Sequence, residues 1–190
     1  MFTYIKVYNL TGVLVCCGAL VLTVLYYWTK KIDFLLYLVF CQCFFILEIL
    51  NIKMGKSNST ILPTFLQLLS RIFIIGIICY LNKLYNKMLI LMCVCWYISD
   101  LIRYLFYLTR NSFIRKVRYN AFIVLYPIGT SIEIYLCNGI YLKYSNSFIS
   151  YLMGGIIMCY VPGFIFLYYH MIRQRISYSK NEKRGKRKVK

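Results

Sequence analysis

Apolar residues fill the chain in six long blocks, each closed by a short cluster of polar or charged positions. Spanning a bilayer takes about 20 mainly apolar residues in a helix. The blocks, roughly 8–28, 34–50, 62–81, 88–108, 119–142 and 148–170, meet that requirement. The pattern predicts an all-α polytopic membrane protein, a six-transmembrane-helix bundle occupying residues 1–172, followed by a basic tail over 173–190. The first block follows a weakly basic start with only Lys6 and lacks a small-residue cleavage pattern, so it reads as a retained helix rather than a signal peptide. No internal repeat, soluble domain or long linker interrupts the series.

Composition sharpens this picture. Of 190 residues, 61% are hydrophobic and 15% charged, which is too greasy for a water-soluble globule. A net charge of +18 invites a nucleic-acid reading, but such proteins carry their charge as a patch on an otherwise polar surface. Apolar runs of membrane length exclude nucleic acid as the partner and favour a lipid bilayer. All nine cysteines fall inside those runs, where Cys packs as a small hydrophobe. The C-x-C pairs at Cys41/Cys43 and Cys93/Cys95 turn to different helix faces and lack ligand-spaced histidines, so no metal site is expected.

Lys and Arg are distributed unevenly between alternate loops. With a cytoplasmic N-terminus, 16 of the 23 basic residues fall on the cytoplasmic side, five on the other, and Arg71 and Arg103 lie within spans. The positive-inside rule then places both termini in the cytosol. The tail cannot bury a core and is expected to be disordered or to lie against anionic lipid. Its ending, Lys186-Arg187-Lys188-Val189-Lys190, resembles a K-x-K-x-x retrieval signal of the endoplasmic reticulum, although a positive-inside anchor explains the same charges.

Only five acidic residues are present, and three of them, Glu48, Asp100 and Glu133, fall within apolar spans. Charged groups at membrane depth are costly and face a bundle interior, either paired or lining a pathway. Glu48 or Asp100 pairing with Arg71 or Arg103 would hold helices together, and Asp100 with Arg103 has the i,i+3 spacing of a pair within one helix. Glu133 has no basic residue near it on its own helix face. Seven residues separate it from Tyr126, close to two full turns, so both lie on one face with Gly129 between them. A glycine there leaves a notch for a substrate, and Pro127 removes a backbone donor and frees a carbonyl nearby. The two Cα atoms would stand roughly 10 Å apart on a straight helix, so their side chains need not touch. An acid/base site and a purely structural carboxylate both remain open on this reading.

The run Arg118-Tyr119-Asn120, Leu125-Tyr126-Pro127-x-Gly129 and Glu133 resembles the signature of the very-long-chain 3-hydroxyacyl-CoA dehydratases, the protein-tyrosine-phosphatase-like family. Glu48 in a Leu-Glu-Ile run, then Gly55, Gln67 and Ser70-Arg71, is similar to that family's second and third spans. Trp96 with Asp100 to Tyr104 is similar to the fourth, and Val161-Pro162-Gly163 with Tyr169-His170-Met171 and Arg173-Gln174-Arg175 to the last. The resemblance covers about residues 38 to 175. Two departures stand out, Asp100 where Glu is common and Asn51 where His is common. Ile52 takes the place of the cysteine behind the phosphatase-like name, so no thiolate nucleophile exists there and tyrosine phosphatase activity is excluded.

The resemblance implies a six-span enzyme of the endoplasmic reticulum membrane that removes water from a long-chain (3R)-3-hydroxyacyl-CoA to give the trans-2-enoyl-CoA, the third step of fatty-acid elongation. It implies catalysis by Tyr126 and Glu133, with Arg118, Gly129, Arg71, Gln67 and Glu48 binding substrate or supporting the site. The CoA thioester is the substrate and no cofactor is expected. The condensing enzyme, ketoacyl-CoA reductase and enoyl-CoA reductase of the same cycle are the implied partners. Arg110, Arg115, Lys116 and Arg118 suit the CoA phosphates, though topology alone accounts for that cluster equally well. Dehydration needs a base for the C2 proton and an acid for the departing hydroxyl. A phenol in low dielectric keeps its proton, making Tyr126 the natural acid and Glu133 the natural base, the latter if Arg71 or another cation approaches. A protonated Glu133 acting as the acid, with Tyr126 orienting the thioester, is the other assignment. The competing class is an inactive scaffold or a lipid-binding or transport protein built on the same fold.

Overall fold

The computed structural model describes residues 2–56, 60–83 and 86–188, which form helices joined by short turns, with no strand among them. The helices are α1 (Phe2–Thr29), α2 (Asp33–Phe44), α3 (Ile46–Lys53), α4 (Ile61–Ile72), a π-helical segment (Phe73–Leu81), α5 (Lys87–Thr109), α6 (Ser112–Lys143) and α7 (Phe148–Lys188). α2 with α3, and α4 with the π segment, each form one span. Six stretches are thus long and apolar enough to cross a membrane: Tyr4–Thr29, Asp33–Lys53, Ile61–Tyr80, Lys87–Thr109, Ser112–Lys143 and Phe148–Ser177. Short connections make successive spans antiparallel. Both termini and the turns after α3 and α5 therefore share one end of the bundle.

The boundaries have local causes. Asn86 and Asn111 cap α5 and α6 by accepting hydrogen bonds from the backbone N–H groups of Met88 and Phe113, each at 2.8 Å. α5 ends as Arg110 turns left-handed, with φ of 50°, and donates its N–H to the Phe106 carbonyl. That turn leaves α6 free to start at Ser112, seven residues before the expected boundary, in a polar stretch that hydropathy alone discounts. α6 runs unbroken through Pro127. Its 32 residues give about 48 Å of helix, well beyond a hydrocarbon core of about 30 Å, so part of it projects past the bilayer.

Three features depart from the expected plan. The second span tightens at Phe45, where Phe45 bonds back to Gln42 and Glu48 back to Phe45, both at 3.0 Å with i,i+3 spacing. The third span widens into a π helix directly after the turn that carries Arg71. The tail does not lose its helix at residue 172, because α7 continues to Lys188. Lys, Arg, Gln and Glu are good helix formers and only Gly185 opposes them there, so the chain has no local reason to stop. The final two residues of the K-x-K-x-x ending lie outside the described residues.

α1, α5 and α6 pack side by side, with α2 against α1 and the π segment, and α7 against α6. Gly12 sets the closeness of α1 to α5. A Cβ at that position would stand 2.8 Å from the Tyr104 ring, so only glycine admits the contact. Buried Cys16, Ala19, Tyr26, Leu35, Leu38, Leu89, Met92 and Tyr97 fill this part of the core. Outward positions such as Leu14, Phe40, Val124 and Phe166 are exposed and apolar, as lipid contact requires.

Candidate active site between α4, α6 and α7

A cavity of about 1250 Å³ runs inside the bundle. Lys56, Arg110, Arg115, Arg118 and His170 border it at the end shared by the termini, and Tyr126, Gly129, Glu133 and Tyr160 border it deeper in. Leu152, Ile156 and Leu167 give it an apolar wall. Glu48, Gln67 and Arg71 also line it, so Tyr126, Glu133, Arg118, Gly129, Arg71, Gln67 and Glu48 all touch one continuous space.

Glu133 is 5% exposed and held at both carboxylate oxygens. The Trp96 indole N–H donates to Oε1 at 3.0 Å from α5, and the Tyr160 hydroxyl donates to Oε2 at 2.9 Å from α7. Ser70 on α4 stands beside both Glu133 and Tyr160. Four helices thus converge on one carboxylate.

Tyr126 lies on the same face of α6. Its ring stacks between Phe122, with centroids 4.8 Å apart, and Phe164 at 5.3 Å, and Tyr168 extends the column. Thr130 is its polar neighbour. This aromatic column fixes the direction of the phenol at the edge of the cavity.

Gly129 lines the cavity beside Trp96. It is buried, and a Cβ there would meet Trp96 Nε1 at 3.4 Å and Cδ1 at 3.5 Å. The indole edge packs against it, and a small residue here admits the tryptophan that reaches Glu133.

The remaining charges pair elsewhere. Asp100 accepts from Arg71 across helices and pairs with Arg103 at 3.3 Å in the anticipated i,i+3 geometry. Arg71 also lies over the Trp96 ring, 5.3 Å from its centroid. Glu48 binds two tyrosine hydroxyls. It accepts from Tyr8 at 3.0 Å and Tyr104 at 3.4 Å, and these two hydroxyls are themselves 3.1 Å apart. Gln67 accepts the Ser70 hydroxyl at its backbone carbonyl, 3.0 Å away. Arg118 lies over the Phe106 and Tyr107 rings at 5.4 and 5.2 Å, at the basic mouth of the cavity.

Sequence reasoning missed Tyr160 altogether. With 20 tyrosines in the chain, nothing local marks one on a different helix as the partner of Glu133. Trp96 was visible as part of a family block, but its bond to Glu133 depends on how α5 meets α6.

The family model described as protein tyrosine phosphatase-like protein, PTPLA, matches residues 42–181. The chain belongs to the PTPLA family. Among curated relatives of this PTPLA protein, very-long-chain (3R)-3-hydroxyacyl-CoA dehydratase 1 of Mus musculus is 34% identical over 160 residues, covering 73% of this chain and 57% of the mouse protein. Very-long-chain (3R)-3-hydroxyacyl-CoA dehydratase 2 of Homo sapiens is 35% identical over 160 residues, or 63% of its length. The chain therefore spans less than two thirds of these mammalian relatives. A probable very-long-chain (3R)-3-hydroxyacyl-CoA dehydratase of Schizosaccharomyces pombe is 28% identical over 197 residues, covering 93% of both chains. No solved structure matches the chain significantly.

Proposed function

We propose that this PTPLA protein is a hydro-lyase that dehydrates very-long-chain (3R)-3-hydroxyacyl-CoA to the trans-2-enoyl-CoA. The observation that carries the reading is a buried carboxylate and a phenol on one face of α6, bordering a cavity with a basic mouth and an apolar interior. An acyl-CoA has matching parts. Its phosphates suit Arg110, Arg115, Arg118 and Lys56, and its acyl tail suits the wall around Leu152 and Ile156.

In the proposed reaction Glu133, as carboxylate, takes the proton from C2. The C2–H electron pair becomes the C2–C3 double bond, the C3–O bond breaks, and the hydroxyl leaves as water with the proton of Tyr126. Transfer of the new Glu133 proton to the Tyr126 phenolate restores both groups. The thioester carbonyl makes the C2 proton removable, so no cofactor enters the scheme. The dry setting of Glu133 strengthens its interaction with the reacting carbon.

We further place the protein in the endoplasmic reticulum membrane with a cytosolic C-terminus, supplied by a ketoacyl-CoA reductase after a condensing enzyme and followed by an enoyl-CoA reductase. The excess of Lys and Arg at the terminal end of the bundle supports that orientation. The test is enoyl-CoA formation by the purified protein from a long-chain 3-hydroxyacyl-CoA. Tyr126→Phe and Glu133→Gln should each lower kcat by about 10²- to 10⁴-fold, the usual share of general acid–base catalysis. Turnover near the wild-type rate in both variants contradicts the proposal.

A further inference from the structure

Among the described residues the base proposed above has no ion-pair partner, although the Arg71 charge acts on it from nearby. Asp100 takes both intramembrane arginines as ion pairs, and the Glu133 oxygens take neutral donors, Trp96 from α5 and Tyr160 from α7, with the Ser70 hydroxyl of α4 beside them. We infer that Tyr160 is a positioning residue for Glu133, acting with Trp96 to hold the carboxylate plane toward the cavity without a direct ion pair. This inference rests on the dehydratase reading and adds a residue outside the Tyr-Pro-x-Gly run.

Three observations carry it. First, the bonds to Oε1 and Oε2 are 3.0 and 2.9 Å, within the ordinary range of N–H···O and O–H···O hydrogen bonds. Each oxygen accepts one of these two bonds, and a carboxylate has about four lone-pair sites, so room remains for a substrate proton beside the Ser70 hydroxyl. Second, the donors are themselves fixed. Trp96 is 5% exposed, lies beneath the Arg71 guanidinium and fits against Gly129, while Tyr160 stands beside Ser70. Two anchored donors on opposite oxygens stop rotation of the carboxylate about its last bond. Third, Tyr126 does not occupy this position, because its ring is committed to the Phe122–Phe164 column. The two phenols at the cavity therefore divide the work: Tyr160 orients the base and Tyr126 supplies the proton.

Neutral donors suit a base better than an arginine would. A guanidinium bound directly to the carboxylate favours the anion so strongly that it accepts a proton poorly. Indole and phenol donors orient the group without adding a full positive charge.

The test compares Tyr160→Phe with wild-type protein in detergent. Loss of the hydroxyl should lower kcat by about tenfold or more and leave KM within about twofold, with an unchanged thermal midpoint. In a Glu133→Gln background, Tyr160→Phe should cost nothing further, because residues acting as a unit are not additive. Trp96→Phe, which removes the donor on the other oxygen, should behave in the same way. A kcat within twofold of wild type, a loss confined to KM, or additive losses in the double variant would overturn the inference. An activity-independent arm uses the infrared carboxyl band of Glu133, identified by subtracting the Glu133→Gln spectrum. The band should shift in Tyr160→Phe, and an unshifted band refutes the contact. Wild-type protein without dehydratase activity refutes the proposed function instead, and the infrared arm still decides whether Tyr160 holds Glu133.

Discussion

Glu133 depends on neighbours that are small or neutral. Gly129 is the simplest case, since its small size seats Trp96 against α6. Gly129→Ala puts a methyl group at 3.4 Å from the indole nitrogen, at the near edge of ordinary van der Waals contact, so Trp96 keeps its place. The expected result is a kcat close to wild type for Gly129→Ala, whereas the bulkier Gly129→Leu should displace Trp96 and lower kcat by about tenfold or more, checked by steady-state kinetics and a melting curve on the same sample. Sequence alone reached Tyr126, Gly129 and Glu133 because a two-turn spacing on one helix is fixed by helix geometry. It did not show Trp96 against Gly129 and omitted Tyr160, because both contacts are made between helices and no periodicity encodes them. Glu48 teaches the same lesson. Its acceptance from Tyr8 and Tyr104 follows from the approach of α1 to α5 at Gly12, forty residues from Glu48 in the case of Tyr8.

At the scale of elements, α4 and α5 are joined within the membrane by charge. Asp100 on α5 binds Arg71 from α4 and Arg103 one turn along its own helix, and all three side chains are largely shielded. Asp100→Asn removes the direct ion-pair partner of both guanidiniums. Breaking a buried pair in this way typically costs about 3–5 kcal/mol. The variant should therefore show a lower melting temperature in detergent and poorer recovery, with Arg71 no longer steadying Trp96. An unchanged melting temperature would mean that water or lipid phosphate reaches the arginines freely. The pairing of Asp100 with Arg103 was legible from their i,i+3 spacing, whereas the choice of Arg71 for Asp100 rather than Glu48 was not. Nor did composition reveal the tightened turn at Phe45 or the π segment after Ile72. Both preserve an apolar surface while changing which residues face inward, and hydropathy is blind to such a rotation. The length of α7 was underestimated for a different reason: charge ends an apolar block but does not end a helix.

Across the whole molecule, polarity changes along a single cavity, from arginines at the mouth to aliphatic side chains within. α6 exceeds the bilayer thickness, and its first turns carry Arg115 and Arg118 out to that mouth. If these residues grip the CoA phosphates, Arg115→Ala with Arg118→Ala should raise KM for the CoA thioester by roughly tenfold or more, since charge-assisted hydrogen bonds contribute about 1.5–3 kcal/mol each. The same double variant should leave KM for a phosphate-free N-acetylcysteamine thioester nearly unchanged. Equal increases for both substrates would assign the arginines to topology alone. The six-span plan was legible from hydrophobic block length, as was the gathering of basic residues at one end. The cavity was not, because an internal space is a property of packing.

The central claim is that Glu133 removes the C2 proton of a 3-hydroxyacyl-CoA, and single-turnover kinetics with enzyme in excess over a C2-deuterated substrate test it most directly. The wild-type protein should form enoyl-CoA more slowly from the deuterated than from the ordinary thioester, while Glu133→Gln should form almost none from either. Full conversion by Glu133→Gln at the wild-type rate would contradict the account.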